Sequence, residues 1–386
     1  MSESIPARMA AMQLVGHGAP EQLVYREDVA VPQPGPGEVL VRVTATAKNN
    51  TDRKAREGLY PTDDASEVTS FAIGGAPTFT FPRIQGADIV GRVAAVGAGV
   101  DEARIGERGL LDFNIYDTDR RDINLRPDYY GHGADGGFAE YVAVPADQFH
   151  AVADAGLADA ELAALGMCSY QTAYHMLTAA GVTSGERVLV TGASGGVGTA
   201  LIQLCRIIGA IPYALSTAEK ADGLLALGAE HVFDRRQPGD FRERVRTVTG
   251  GVPLDAVMDL VGGDMTMQFV AAMTFDMTAR TTYPRLSIAG ASGGNLTQVM
   301  WTVIYLYQVQ IFGVSHGTRA EAEQLIEWIR GGRLRPILHG TFRLSRLREC
   351  ERYFVNRGSG YLGKVVVVPD SQWTEHGATF ALEPEK

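Results

Sequence analysis

Cysteine is scarce in this chain, with three thiols, Cys168, Cys205 and Cys350, among 386 residues. Three thiols cannot build a disulfide framework or a four-thiolate zinc site. The eight histidines do not make up the difference, because none forms an H-x-H or H-x-x-x-H pair. Long apolar runs are also missing: the longest candidate, residues 299–314, is interrupted by Thr302, Gln308 and Gln310 and falls short of the ~18 uncharged residues of a membrane span. Residues 1–13 carry Glu3 and no continuous apolar stretch, which argues against a secretory signal. Basic residues are outnumbered 35 to 45, a formal charge of −10, so no nucleic-acid surface is expected. Internal repeats and low-complexity tracts are lacking too. What is present, 45% apolar positions and 45 Gly, fits a soluble cytoplasmic protein with no membrane partner. Its length is enough for two or three domains, each with its own core.

Residues 12–47 read as short strands and turns. The turn cluster Pro32-Gln33-Pro34-Gly35-Pro36-Gly37-Glu38 feeds Val39-Leu40-Val41-Arg42-Val43, whose β-branched run marks a strand. Residues 88–100 and 138–144 show the same pattern, so the first ~150 residues are expected to form an antiparallel, barrel-like β domain. After Ala153 strands alternate with helical segments. Strands are expected at 187–191, 211–215, 231–234, 255–259 and 285–289, with helices at 199–208 and 219–227. That alternation predicts a parallel doubly wound sheet, an α/β arrangement. Past Arg333, residues 342–369 return to a β-rich pattern, and residues 372–386 read as a surface tail.

The strand Val188-Leu189-Val190-Thr191 runs directly into Gly192-Ala193-Ser194-Gly195-Gly196-Val197-Gly198, and a helix follows. Glycines there permit a tight turn, close approach of the backbone to a pyrophosphate, and tight packing of helix on strand. The phosphate would meet the free N–H groups of the helix start. As G-x-G-x-x-G the motif is imperfect, since Ala193 takes the first position. Cofactor choice is read at the tip of the next strand. An NAD site would place Asp or Glu there, whereas this chain has Leu215-Ser216-Thr217-Ala218-Glu219-Lys220. Ser216 and Lys220, with Arg235 and Arg236 after the third strand, suit the 2′-phosphate of NADP(H).

From here the chain resembles the medium-chain dehydrogenase/reductase superfamily, over residues 12–369. The resemblance is carried by Pro34-Gly35-Pro36-Gly37-Glu38-Val39-Leu40-Val41, Asn49-Asn50-Thr51-Asp52, Gly58-Leu59-Tyr60-Pro61 and Gly86-Ala87-Asp88-Ile89-Val90-Gly91. Ala134-Asp135-Gly136-Gly137-Phe138-Ala139-Glu140-Tyr141, the glycine turn, and Gly360-Tyr361-Leu362-Gly363-Lys364-Val365 complete it. It implies a GroES-like β-barrel catalytic domain built from both ends of the chain, 1–153 and 333–386, with a Rossmann domain inserted at 154–332. Zinc alcohol dehydrogenases of the superfamily bind catalytic zinc through a Cys opening C-x-x-D, a His within G-H-E, and a Cys or His near the start of the inserted domain. The matching positions here are Asn49, Ala87 and Cys168, and residues 112–135, in place of the structural zinc lobe, have no Cys. Similarity to the zinc-independent quinone oxidoreductase-like branch is therefore expected, with no metal.

That branch implies an NADPH-dependent transfer of hydride to a carbonyl, an α,β-unsaturated carbonyl (enone) or a quinone. By resemblance, Asn49 and Tyr60 line the nicotinamide end, as groups that hold a carbonyl oxygen or relay a proton. Asp52 fixes its turn. The same resemblance implies that Thr172 lies near the nicotinamide and that Ala289-Gly290 with Phe312-Gly313-Val314 match backbone segments that touch that ring. Residues 301–314, with Tyr305, Tyr307 and Phe312, read as a strand that is either the family's homodimer edge or buried in the monomer. Residues 62–82, with Phe79 and Phe81, and residues 112–132 are long excursions whose role stays open. Two other readings remain: a catalytically silent NADPH-binding regulatory protein, and a zinc enzyme using Cys168 and Asp88.

Overall fold

The computed structural model describes residues 4–59, 79–116, 128–152, 156–358 and 360–382. The chain divides into two compact units. Met1–Cys168, Thr318–Arg357 and Lys364–Lys386 form the first, and Ser169–Gly317 with Gly358–Gly363 form the second. The second unit is thus an insertion in the first. Segments 156–168 and 318–332, which the strand-helix pattern places in the nucleotide fold, belong to the first unit. Helix Asp159–Ala164 shows why: its buried face packs on strands Glu38–Ala47, Asp88–Val96 and Lys364–Val368.

The main sheet of the first unit runs in the order Phe149–Ala151, Arg108–Leu111, Asp88–Val96, Glu38–Ala47, Lys364–Val368, Leu338–Arg343, and Tyr141–Pro145 also pairs with Glu38–Ala47. Alternation along the central strand puts Val39, Val41 and Val43 in one core with Ile89, Val93, Leu111, Val142, Val144 and Phe149. Register then fixes what lies beyond its end. Ala47 stands opposite both Asp88 and Val366, and the Lys48 N–H donates to the Val365 carbonyl at 2.8 Å. Residues 48 and 49 are thereby delivered beside Asp88 and Lys364.

Two expectations for the C-terminal part need correction. Residues 342–369 are not continuous β structure, because helix Leu347–Val355 lies inside them, burying Leu347, Cys350, Glu351 and Phe354 at i, i+3, i+4 and i+7. Residues 372–382 are not a free tail. Trp373 is buried, the Leu382 N–H donates to the Thr341 carbonyl at 3.1 Å, and Leu382 covers Gly340 so closely that a Cβ there would lie 2.3 Å from it.

The second unit is a six-stranded parallel sheet in the order His231–Asp234, Ile211–Ser216, Arg187–Val190, Ala256–Asp259, Arg285–Ile288, Gln310–Gly313. Helix Gly196–Ile207 follows the glycine turn, while the expected helix 219–227 is a 3₁₀ turn, Ala218–Lys220, running into Ala221–Ala226. Phe233, Phe241 and Phe269 meet edge to face in its core, with centroids 5.2 and 5.7 Å apart. Residues 301–314 are not one strand. Helix Trp301–Leu306 and edge strand Gln310–Gly313 are separated at Gln308, whose φ is 53°. Nor is the segment buried throughout: Val309 and Val314 are, but Trp301, Tyr305 and Leu306 are 68%, 65% and 65% exposed.

Candidate active site

Because the six strands run parallel, their carboxyl ends share one edge, and the order reverses between Arg187–Val190 and Ala256–Asp259. Open α/β sheets bind ligands at such a point. Gly192 opens the turn with φ 57°, in the left-handed region that favours glycine. At Gly198 a Cβ would lie 2.5 Å from Ala193 Cα and the Gly192 carbonyl oxygen, so only glycine lets helix and turn meet. Gly195 precedes the helix with no side chain to cap it, leaving first-turn N–H groups for an anion. Lys220 Nζ donates to Ser194 Oγ at 3.2 Å, and the Gly363 N–H donates to the Ser194 carbonyl at 2.9 Å.

Ser216 closes the second strand, and its carbonyl accepts the Arg235 N–H at 2.7 Å, which places Arg235 beside it with the side chain exposed. Arg236 is engaged with Glu219 at 2.7 Å and Asp234 at 3.4 Å. Glu219 is held below the usual carboxylate range by its own backbone N–H, then by Arg236 and Thr217. Further along the edge, the Ala289 N–H donates to the Asp259 carbonyl, and a Cβ on Gly290 would lie 2.4 Å from the Leu260 carbonyl oxygen. Phe312 stands in register with Ser287, and the Val314 N–H donates to Ile288. Thr172 lies half-buried on helix Met167–Ala179, which Tyr170 ties to Gln203 of helix Gly196–Ile207 at 3.0 Å. Asp259 accepts the Thr191 hydroxyl at 2.6 Å on Oδ1, while its buried Oδ2 has no partner among the described residues. An unmet buried acceptor costs ~1–3 kcal/mol, so a donor brought to Oδ2 would be favoured there. The uncapped helix start, the glycine cradle and this acceptor together fit a dinucleotide.

The first unit holds a different kind of site. Lys364 Nζ donates to Asn49 Oδ1 and, at 3.0 Å, to Asp88 Oδ2. Asn49 Nδ2 donates to the same Asp88 oxygen at 2.8 Å and to the Ala47 carbonyl at 3.2 Å. Asp88 Oδ1 accepts the Cys168 N–H at 2.8 Å, an approach that requires glycine at 166, where a Cβ would lie 2.0 Å from the carboxylate. Alongside, Lys48 Nζ pairs with Glu351 at 2.8 Å and Asp52 at 3.5 Å, and Arg56 reaches Glu351 at 3.5 Å. Burial alone would lower the Lys48 ammonium, but Glu351 and Asp52 outweigh it and hold its pKa above the usual value. Three cations, Lys48, Arg56 and Lys364, thus face three carboxylates, Asp52, Asp88 and Glu351, all of them buried. Burial first and Asp88 second push the Cys168 thiol well above its usual pKa.

Two family models match the chain: the alcohol dehydrogenase GroES-like domain over residues 35–154 and the zinc-binding dehydrogenase domain over 196–331. A crystal structure of a Sinorhizobium meliloti 1021 protein, provisionally called an alcohol dehydrogenase, is 44% identical with a TM-score of 0.87, over 95% of this chain and 98% of that one. The chain belongs to the medium-chain dehydrogenase/reductase superfamily. It is also 27% identical to an NAD-dependent alcohol dehydrogenase of Sulfolobus acidocaldarius, over 89% of this chain and 95% of that protein. Human quinone oxidoreductase is 26% identical, over 93% and 98%. As a member of the superfamily the chain is an oxidoreductase, and such enzymes use a nicotinamide cofactor.

Of the expected site residues, Ser194 to Gly198, Ser216, Lys220, Arg235, Ala289, Gly290, Phe312 and Val314 lie on or next to the carboxyl edge of this medium-chain fold. Asn49 is in the first unit, with both amide hydrogens and its carbonyl oxygen engaged by Ala47, Asp88 and Lys364. Asp52 does hold its turn: Oδ2 accepts the Asn49 N–H at 2.7 Å and Oδ1 the Gly86 N–H at 3.3 Å. Tyr60, most of segment 62–82 and residues 117–127 lie outside the described residues. Among those described, no group of three or more His, Cys, Asp or Glu is arranged to hold a metal. Sequence reasoning passed over Lys48, Glu351 and Lys364 as site residues. The available signal was a Lys at a position otherwise inside a β-branched strand, Lys364-Val365-Val366-Val367-Val368.

Proposed function

We propose that the chain is an NADPH-dependent reductase that works without zinc, passing hydride to a carbonyl, an α,β-unsaturated carbonyl or a quinone. The observation that carries this reading is the Lys364 ammonium between Asn49 and Asp88. In zinc-binding relatives the positions matching Asn49, Ala87 and Cys168 are metal ligands. Here one donor is an amide already bonded to Lys364, one is a methyl group, and the third is a thiol whose burial keeps it neutral. The fixed cation in that place balances the buried Asp88 carboxylate without a metal. Acceptors that delocalise the charge left by hydride addition need no stronger polarisation.

When bound, the reduced nicotinamide supplies the hydride. The residues of the glycine turn would hold the pyrophosphate, and Ser216, Lys220 and Arg235 would meet the 2′-phosphate. Arg236 offsets the charge of Glu219 and Asp234, the carboxylates that would otherwise repel that phosphate. Fluorescence titration should show NADPH binding more tightly than NADH, with NADPH oxidised in the presence of an enone, quinone or aldehyde. Binding of neither nucleotide would overturn the reading.

The homodimer expectation fits strand Gln310–Gly313, which ends the sheet with one edge open among the described residues, beside exposed Trp301, Tyr305, Leu306 and Ile311. Pairing with a second copy would close the edge and cover the patch. Ile311→Lys should then halve the mass measured by light scattering, and a wild-type monomer would refute the assembly.

A further inference from the structure

Three charged side chains meet at the tips of the second and third strands of the inserted sheet. Register puts Asp234, the last residue of strand His231–Asp234, opposite Ser216, the last of Ile211–Ser216. Arg236, two residues on, turns back to it. Its N–H donates to Asp234 Oδ1 at 3.0 Å, and its Nε lies 3.4 Å from the same oxygen. The far end of the guanidinium reaches the 3₁₀ turn Ala218–Lys220, where Nη2 donates to Glu219 Oε1 at 2.7 Å. Nη1 is left without a bond among the described residues. Both carboxyls are held below their usual range, Asp234 chiefly by the Arg236 N–H, and Glu219 by its own N–H and then by Arg236.

Glu219 is the only acid in residues 211–220, and it stands 21 residues past Gly198. Nucleotide folds that take NAD place an acid about 20 residues beyond the glycine turn, where it accepts the ribose 2′-hydroxyl. This chain therefore has an acid at close to that spacing, but the carboxylate is bonded to an arginine. Released, it would accept a 2′-hydroxyl and repel a 2′-phosphate. Resting on the reading that this edge binds NADPH, we propose that Arg236 determines coenzyme preference by occupying Glu219. The site is a latent NADH site, kept in its NADPH form by one ion pair. Both partners are exposed, 53% for Arg236 and 44% for Glu219, so the pair is weakly held and open to a ligand. The planar guanidinium keeps Glu219 on Nη2 and leaves Nη1 for the 2′-phosphate.

The test is fluorescence titration of wild type, Arg236→Ala, Glu219→Gln and the double variant with NADPH and with NADH, no acceptor being present. Wild type should bind NADPH about tenfold more tightly than NADH. Arg236→Ala should weaken NADPH by about 30-fold and strengthen NADH by about fivefold, which reverses the order. Adding Glu219→Gln to Arg236→Ala should cancel the gain for NADH, and Glu219→Gln alone should keep the preference for NADPH. Melting temperatures should be unchanged throughout, because both side chains are exposed. No gain for NADH in Arg236→Ala, or a gain that survives Glu219→Gln, would overturn the proposal alone. Wild type that binds neither nucleotide, or that prefers NADH, would overturn the NADPH reading and this proposal with it.

Discussion

The carboxyl edge of the inserted sheet and the ionic cluster of the barrel unit solve the problem of holding charge in opposite ways. The first uses backbone: an uncapped helix start, glycines at 192 and 198 that let chain segments touch, and one carboxylate oxygen left unpartnered. The second uses side chains, three cations against three carboxylates, whose ion pairs leave Arg56 Nε as the one buried polar atom of the six without a partner among the described residues. The difference teaches what each region can tolerate. A buried network of ion pairs gains little when complete and loses heavily when one member is removed, whereas an open cradle loses binding before it loses stability.

The largest expected effect is therefore in the cluster. Lys364→Met leaves Asp88 charged and buried, and should cost about 3–5 kcal/mol in urea unfolding. Adding Asp88→Asn should recover part of that loss, so a double-mutant cycle reads the coupling directly. Asp112, a second buried carboxylate, has the Tyr116 hydroxyl at 2.7 Å and, among the described residues, no bonded ammonium like that of Lys364. Burial raises its pKa from 3.8 to about 7 against the bond from Tyr116. Folded protein then keeps a proton that the unfolded chain has released between about pH 4 and 7, so stability falls as pH rises through that window. Asp112→Asn should remove this slope, gaining on wild type by on the order of 4 kcal/mol between pH 4 and pH 8. In the cradle, Gly198→Ala forces a Cβ into the turn. We expect ~1–3 kcal/mol of destabilisation and loss of NADPH binding by titration. The smallest effect is Lys220→Ala, about a tenfold weaker Kd for NADPH with that for NADH unchanged, the worth of one charged hydrogen bond.

The two regions also differ in how far they could be read from sequence. The cradle was legible because its parts are contiguous: strand, Gly192 to Gly198, helix, then the next strand tip at Ser216. The two-part fold was legible from the change of period after Ala153 and from the motifs at both ends. The cluster was not, because Asn49, Asp88 and Lys364 lie 39, 276 and 315 residues apart in pairs and meet only through the register that sets Ala47 opposite Asp88 and Val366. Its ion pairs depend on burial, which charged residues do not announce. Helix Leu347–Val355 was obscured by its neighbours, since strands flank it on both sides, although Leu347, Cys350 and Phe354 keep helical spacing. In residues 299–314 the β-branched and aromatic residues suggested one strand, and the left-handed Gln308 that splits it carries no glycine to mark the break.

In the proposed reaction the Lys364 ammonium takes the place of a metal. Metal analysis of the purified protein, paired with NADPH-dependent turnover before and after exhaustive chelation, tests it most directly. The account predicts no stoichiometric zinc and turnover untouched by the chelator. One tightly held zinc per chain, whose removal abolishes turnover and whose return restores it, would contradict the account.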